Sequence, residues 1–316
     1  MNILNRFKEC TYNVGFVEKR IEDILVSGIG KNDIMWMKHN YRDRFFADPF
    51  LIKEDKTFFF VLCEEYIFKK RVGTIVLLTV SKKEYKLINR KVLIEENHHL
   101  SFPYCELNGQ WVVPEACWSG KAFAYQFDMD EMTIKKKIQI ADEGLVDNIF
   151  YEDSNKIIWL YAGTTKCANS VLYEYKIDEK KSFVRVTQDP VESGWDRSRS
   201  AGMLFECAGK LYRPVQDCKE RYGKRISIME VLSIGEDGYK VHECRKIDSS
   251  ENPIYNETMH TFNVYEDIIL VDGSKDVLYF SLTFFIKRII KKIWSCISSV
   301  CRRKRNCDLN MKVKDV

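Results

Sequence analysis

Several charged residues of this 316-residue chain stand where short apolar strands begin or end. Asp48 lies in Phe46-Ala47-Asp48-Pro49-Phe50, Glu115 in Val113-Pro114-Glu115, Asp147 in Val146-Asp147-Asn148-Ile149, and Asp217 in Pro214-Val215-Gln216-Asp217. An apolar strand has no packing reason to carry an ionised carboxylate, and several at one mouth repel one another and lose hydration. Acids placed at that cost suit general acid–base work on a glycosidic bond or hydrogen bonding to sugar hydroxyls. Pro49 fixes its own φ and predicts an extended Asp48. His260 begins a similar strand in Met259-His260-Thr261-Phe262-Asn263. Arg199, Arg213 and Arg221 offer bidentate forks for a carboxylate or phosphate. Each residue also has a plainer reading. Asp48 and Asp147 serve as strand-entry or turn residues, Glu115 is a solvated loop residue, and His260 is a hydrogen-bonded structural histidine. The arginines then pair with Asp196, Asp217 and Glu220 to fix loops.

These residues can meet only if the chain brings distant strands together, and an internal repeat supplies the means. An apolar strand, a polar turn and a more aromatic strand recur at Phe46, Ser101, Val146, Ala201 and His260. The intervals are 55, 45, 55 and 59 residues. A third strand follows several of these hairpins, at 74–80, 122–127, 171–177 and 226–232, and further strand candidates follow at 91–95 and 135–140. Four strands per roughly 50 residues is the unit of a β-propeller blade. The expected fold is therefore all-β, a five-bladed propeller over 1–276. Strands at 12–17 and 34–37 complete the last blade. A β-sandwich of short strands is the competing architecture. In a propeller the first strand of each blade lines the axis, so Asp48, Pro103, Asp147, Ser200 and His260 converge on one mouth. The hairpin partners end there in Glu64, Glu65, Glu115, Gln216 and Asp217.

The motifs Phe46-Ala47-Asp48-Pro49-Phe50, Val113-Pro114-Glu115 and His260-Thr261-Phe262-Asn263 resemble the N-terminal domain of glucosamine inositolphosphorylceramide transferases. So does the run from Ser200-Ala201-Gly202 through Lys210-Leu211-Tyr212-Arg213-Pro214-Val215-Gln216-Asp217 to Arg221-Tyr222-Gly223, the most specific part. The resemblance covers roughly residues 10–275. It implies the propeller; transfer itself belongs to a separate C-terminal module of the plant enzyme. That domain is similar in turn to five-bladed glycoside hydrolases of the family 43 and invertase kind. This second resemblance implies Asp48 as general base and Asp147 as the residue that orients it; Glu115, on another blade, is a candidate acid outside the family's pattern. Arg199, Arg213, Asp217, Arg221 and His260 would bind substrate. The chain departs from the hydrolase pattern where the fourth inner strand begins. It reads Arg199-Ser200-Ala201-Gly202 there and lacks the acidic Glu, which puts simple hydrolysis in doubt.

Composition narrows the classes. Apolar residues at 45% and charged residues at 30% fit a globular core. A net charge of +4 is too small to mark a general nucleic-acid binder. The eleven cysteines are odd in number and form no C-x-x-C pair, and His98-His99 reads as a loop pair, so neither metal nor cofactor is expected. Reduced thiols and a start lacking a continuous apolar run predict a cytoplasmic protein without a secretory signal. The expected partner is a glycan or activated sugar. The expected role lies in cell-surface polysaccharide or glycolipid synthesis, with hydrolysis or non-catalytic glycan binding as alternatives.

Charge is unevenly spread. Residues 277–305 carry eight basic and no acidic side chains, which leaves the first 276 at −4. In this segment Leu282, Phe285, Ile286, Ile289, Ile290, Ile293, Trp294 and Ile297 recur at helical spacing, with Lys287, Arg288, Lys291 and Lys292 between them. The pattern predicts a C-terminal amphipathic α-helix lying in a membrane surface, or packed on the propeller or a partner. Residues 306–316 read as a flexible tail. Arg302-Arg303-Lys304-Arg305 adds about 1 kcal/mol per basic residue near an anionic cytoplasmic leaflet. Full-length protein should therefore float with anionic liposomes, and a 1–276 truncation should stay behind; equal flotation refutes the membrane role.

Overall fold

The computed structural model describes residues 8–106, 108–164, 170–248 and 252–278. The predicted helix at 277–305 and the tail at 306–316 fall almost wholly outside them. Residues 11–275 form one compact unit. No helix among the described residues is long and apolar enough to cross a membrane.

The main unit is a five-bladed propeller. The first blade is Arg44–Glu54, Phe58–Ile67, Val72–Ser81 and Leu87–Ile94. The second is Ser101–Tyr104, Trp111–Glu115, Ala122–Asp128 and Thr133–Ala141. The third is Leu145–Glu152, Ile158–Thr164, Val171–Ile177 and Phe183–Arg185, with Glu192–Ser193 paired to its third strand. The fourth is Phe205–Cys207, Lys210–Asp217, Arg225–Ser233 and Lys240–Asp248. The fifth runs Phe262–Val264, Ile269–Leu278, Lys8–Val17, Ile34–Trp36, so strands from opposite ends of the sequence share one sheet and close the ring.

The core lies between blades, because each sheet is apolar on both faces. Phe16, Phe46, Leu51, Val61 and Leu270 fill the space between the fifth and first blades. Phe205, Ile226, Phe262 and Val271 fill that between the fourth and fifth. Second strands therefore read as near-continuous apolar runs.

The inner strands carry one shared irregularity. In the first blade the register passes from Ala47↔Glu64 to Phe50↔Leu62. In the second it passes from Ser101↔Glu115 to Tyr104↔Val113, and in the third from Val146↔Gly163 to Ile149↔Tyr161. Two residues oppose one each time, which is a β-bulge. The first bulge residue is left-handed in all three: Asp48 at φ 51°, Phe102 at φ 41°, Asp147 at φ 50°. Asp48 is thus not extended as its following proline predicts. The bulge overrides the local preference at a cost of about 1–3 kcal/mol. Pro49 and Pro103 suit the second bulge position because they bring no N–H that needs a partner there.

Closure is reinforced across the seam. Tyr265 Oη accepts the Leu51 N–H at 2.7 Å, joining the fifth blade to the first in a buried setting. Asn263 Nδ2 donates to Pro49 O at 2.9 Å, while its Oδ1 accepts the Met203 N–H at 2.8 Å. Tyr265→Phe removes the acceptor and orphans the Leu51 N–H. It should lower unfolding free energy by about 1–3 kcal/mol, read from urea midpoints at constant slope; an unchanged midpoint would show that this bond contributes nothing to closure.

Candidate functional site

The freed N–H of each bulge points into a buried axis and needs an acceptor. Acidic side chains of neighbouring blades supply it. Asp272 Oδ2 accepts the Asp48 N–H at 3.2 Å, and its Oδ1 accepts the His260 and Thr261 N–H groups at 2.9 and 3.0 Å. Asp48 Oδ2 accepts the Phe102 N–H at 3.0 Å, and Oδ1 accepts the Thr261 hydroxyl at 2.8 Å. Glu115 Oε2 accepts the Asp147 N–H at 3.3 Å. From the third blade to the fourth the link is a side-chain fork: Arg199 Nε and Nη2 meet Asp147 Oδ2 and Oδ1 at 2.6 and 3.2 Å. Arg199 Nη2 also lies 4.0 Å from Glu115 Oε2.

His260 sits among these acids. Its Nδ1 lies 2.5 Å from Asp272 Oδ2 and its Nε2 lies 3.9 Å from Asp48 Oδ1. Tyr12 stacks on its ring at 4.6 Å and Tyr222 meets it edge-on at 5.5 Å. The Arg199 guanidinium lies 5.0 Å from the Tyr222 ring centre, so Tyr222 joins the two cations. Gly223 has φ +60°, and a Cβ there would fall 2.6 Å from His260 Cβ. Only glycine lets this loop bring its backbone so near.

Charge states follow from burial and neighbours. Burial pushes Asp48 up and Asp272 adds to it, against the pull of His260. Burial alone would lower His260, but Asp272 and then Asp48 outweigh it and raise the ring to about 9. Burial also opposes ionisation of Asp272, yet His260 and the backbone donors hold it below the usual range. Glu115 rises to about 7 through burial and the charge of Asp147, which Arg199 only partly offsets. Asp48, His260 and Asp272 offer ligand atoms within 4.8 Å of one another. The hydrogen bonds above commit these carboxylates and His260 Nδ1 pairs with Asp272, so the trio is arranged as an ion-pair cluster.

The axis thus gathers Asp48, Glu115, Asp147, Arg199 and His260. Arg213 is elsewhere in role. Its guanidinium is 0% exposed and donates to Arg197 O, Ser198 O, Ser200 Oγ and the Tyr239 hydroxyl. Those donors are not offered to a ligand as expected; they hold the entry of the fourth blade. Asp217 is buried against Lys246 and Arg225 and accepts the Lys219 N–H. Arg221 pairs with Glu257 at 2.6 Å in an exposed loop. The loop pairings envisaged for the arginines also differ: Asp196 meets Lys219 and Glu220 meets Arg225. Sequence reading passed over Asp272, Tyr12 and Tyr222. Asp272 had a signal, because it directly follows the apolar run of the second strand in its repeat, as Glu64 and Glu115 do. Glu65 turns to the other face of its sheet and pairs with Arg44 and Arg90.

Loops from second to third strands, and from one blade to the next, leave the sheets at the same end as this cluster. They expose Trp118, Trp195 and Tyr222. The Arg199 side chain is 20% exposed.

A family model described as glucosamine inositolphosphorylceramide transferase 1, N-terminal, matches residues 34–260. The chain belongs to this family. The match takes in the inner strands of the first four blades and reaches His260, but leaves out Asp272. Glucosamine inositolphosphorylceramide transferase 1 of Arabidopsis thaliana is 28% identical over 207 residues, covering 58% of this chain and 26% of that protein. Its namesake in Oryza sativa subsp. japonica is 26% identical over 214 residues, covering 63% and 28%. The chain therefore spans about a quarter of the length of these transferases. Among solved structures, a GH43 glycoside hydrolase engineered for endo-xylanase and exo-arabinofuranosidase activity superposes with a TM-score of 0.45. It shares 11% identity and covers 74% of this chain and 53% of its own.

The His260 ion pair sets a pH dependence. A histidine raised by folding stabilises fully below its unfolded value of about 6.5, and that contribution is lost as pH rises through about 9. Its size is about 3 kcal/mol, shared with Asp272. The stability gap between wild type and His260→Gln should be at full size below about pH 6.5 and should narrow as pH rises through about 9. A gap that does not change up to pH 10 would mean that His260 is neutral in the fold.

Proposed function

We propose that this propeller binds a glycan, as a free sugar, sugar phosphate or lipid-linked headgroup, at the axial mouth, within glycolipid or cell-surface polysaccharide synthesis. The observation that carries the reading is the Arg199 fork on Asp147. A two-carboxylate hydrolysis needs a free base and a proton donor across an open bond. Here Asp48 is occupied by backbone and hydroxyl donors, and Asp147 is held by a guanidinium. The groups that reach solvent at the mouth are Arg199, with 20% of its side chain exposed, and the rings of Trp118, Trp195 and Tyr222. Aromatic platforms beside fixed polar groups suit a sugar's apolar face and its hydroxyls. The relatives named above carry glucosamine and an inositolphosphorylceramide in their names, which supports a carbohydrate ligand. We further propose that the basic segment at 277–305 holds the protein at a cytoplasmic membrane face, which would suit a lipid-linked one.

Hydrolysis is the second reading, favoured by one observation: Glu115 is raised to about 7, near the value a general acid needs at neutral pH. One pair of experiments separates the two. Under the binding reading, full-length protein perturbs the saturation-transfer NMR of a glycan panel, and Arg199→Ala weakens binding about tenfold or more without any turnover of aryl glycosides. Under hydrolysis, wild type turns over an aryl glycoside and Glu115→Gln abolishes it. Binding of no glycan together with no turnover overturns both.

A further inference from the structure

We propose, resting on the glycan-binding reading, that Glu64 is the acid of the axial ring that contacts the ligand, through hydrogen bonds to a neutral sugar hydroxyl. Glu64 faces Ala47 across its hairpin just as Glu115 faces Ser101. Glu115 uses that position to accept the bulge N–H of the next blade. The corresponding N–H for Glu64 is that of Phe102, and Asp48 already takes it. Among the described residues Glu64 makes no hydrogen bond, although its side chain is only 8% exposed. Its nearest basic atom is His99 Nε2 at 3.6 Å. His99 accepts the Gly73 N–H at Nδ1, and burial lowers its pKa, so it faces Glu64 as a neutral ring.

A carboxyl this deeply buried that makes no hydrogen bond is uncommon and requires a reason. The fold makes room for this one: a Cβ on Gly73 would lie 2.6 Å from Glu64 Oε1. The groups acting on it are Asp48, Glu115 and Asp272, all acidic, and with burial they hold its carboxyl well above the usual range. A protonated carboxyl both donates and accepts, which matches a hydroxyl. The same acidic surroundings disfavour an anionic group at this point.

Titration of full-length protein with the methyl glycosides of glucose, glucosamine and glucuronic acid tests this. Wild type should bind at least one of the two non-acidic glycosides, and more tightly than the glucuronide. Glu64→Gln, which keeps a donor and an acceptor, should stay within about threefold, and Glu64→Ala should weaken binding about tenfold at an unchanged melting temperature. If Glu64→Ala does not fold, Glu64→Asp, which withdraws the carboxyl by one carbon, replaces it and should show the same loss. Equal binding by wild type and the Ala or Asp variant, or a preference for the glucuronide, overturns the role of Glu64 and leaves glycan binding standing. Failure of wild type to bind any of the three overturns the glycan reading for these sugars and the Glu64 proposal with it.

Discussion

A left-handed bulge on the propeller axis frees one backbone N–H in each of the first three blades, and a buried N–H must be given an acceptor. The answer here is a relay around the ring. Asp272 of the fifth blade accepts from Asp48 of the first, Asp48 from Phe102 of the second, and Glu115 of the second from Asp147 of the third. Asp147 then receives the Arg199 fork, just ahead of the fourth blade, and Ala201 O accepts the Phe262 N–H of the fifth at 2.7 Å. The groups that close the ring are the groups that give the mouth its chemistry. Neither task can be altered without the other.

This double use sets the charge balance. Five buried acids, Asp48, Glu64, Glu115, Asp147 and Asp272, surround two cations, His260 and Arg199. Full ionisation would leave uncompensated charge in a poorly hydrated space. The ring resolves this unevenly. Asp272 and Asp147 sit against the cations, whereas Asp48, Glu64 and Glu115 are driven toward the neutral form. The mouth therefore offers hydrogen-bond donors and acceptors more than net charge. That favours hydroxyl-rich ligands.

The repeat made the fold legible. Each copy joins an apolar strand, a polar turn and an aromatic strand, and the strands at 12–17 and 34–37 had no other sheet to join. The gathering of Asp48, Glu115, Asp147 and His260 follows from strand position alone. What stayed hidden depends on register. Nothing local in Phe46-Ala47-Asp48-Pro49 announces a bulge, because proline argues for an extended neighbour. Arg213 reads as a ligand fork from its type, yet its place in an apolar strand turns it inward, onto the carbonyls of Arg197 and Ser198. Asp272 was overlooked because an aspartate closing an apolar run looks like a turn until its blade is set beside the first.

The relay also limits what substitutions can say about chemistry. Removing the Asp48 carboxylate orphans the Phe102 N–H and leaves His260 with one acid fewer, so lost activity would follow from lost geometry as readily as from a lost base. The same holds for Asp272, which serves three backbone donors. Glu64 stands apart. It holds no backbone group in the described residues, so its truncation changes the mouth without disturbing the ring. In a fold whose acids are structural first, the acid without a structural bond is the one whose substitution reports on the ligand.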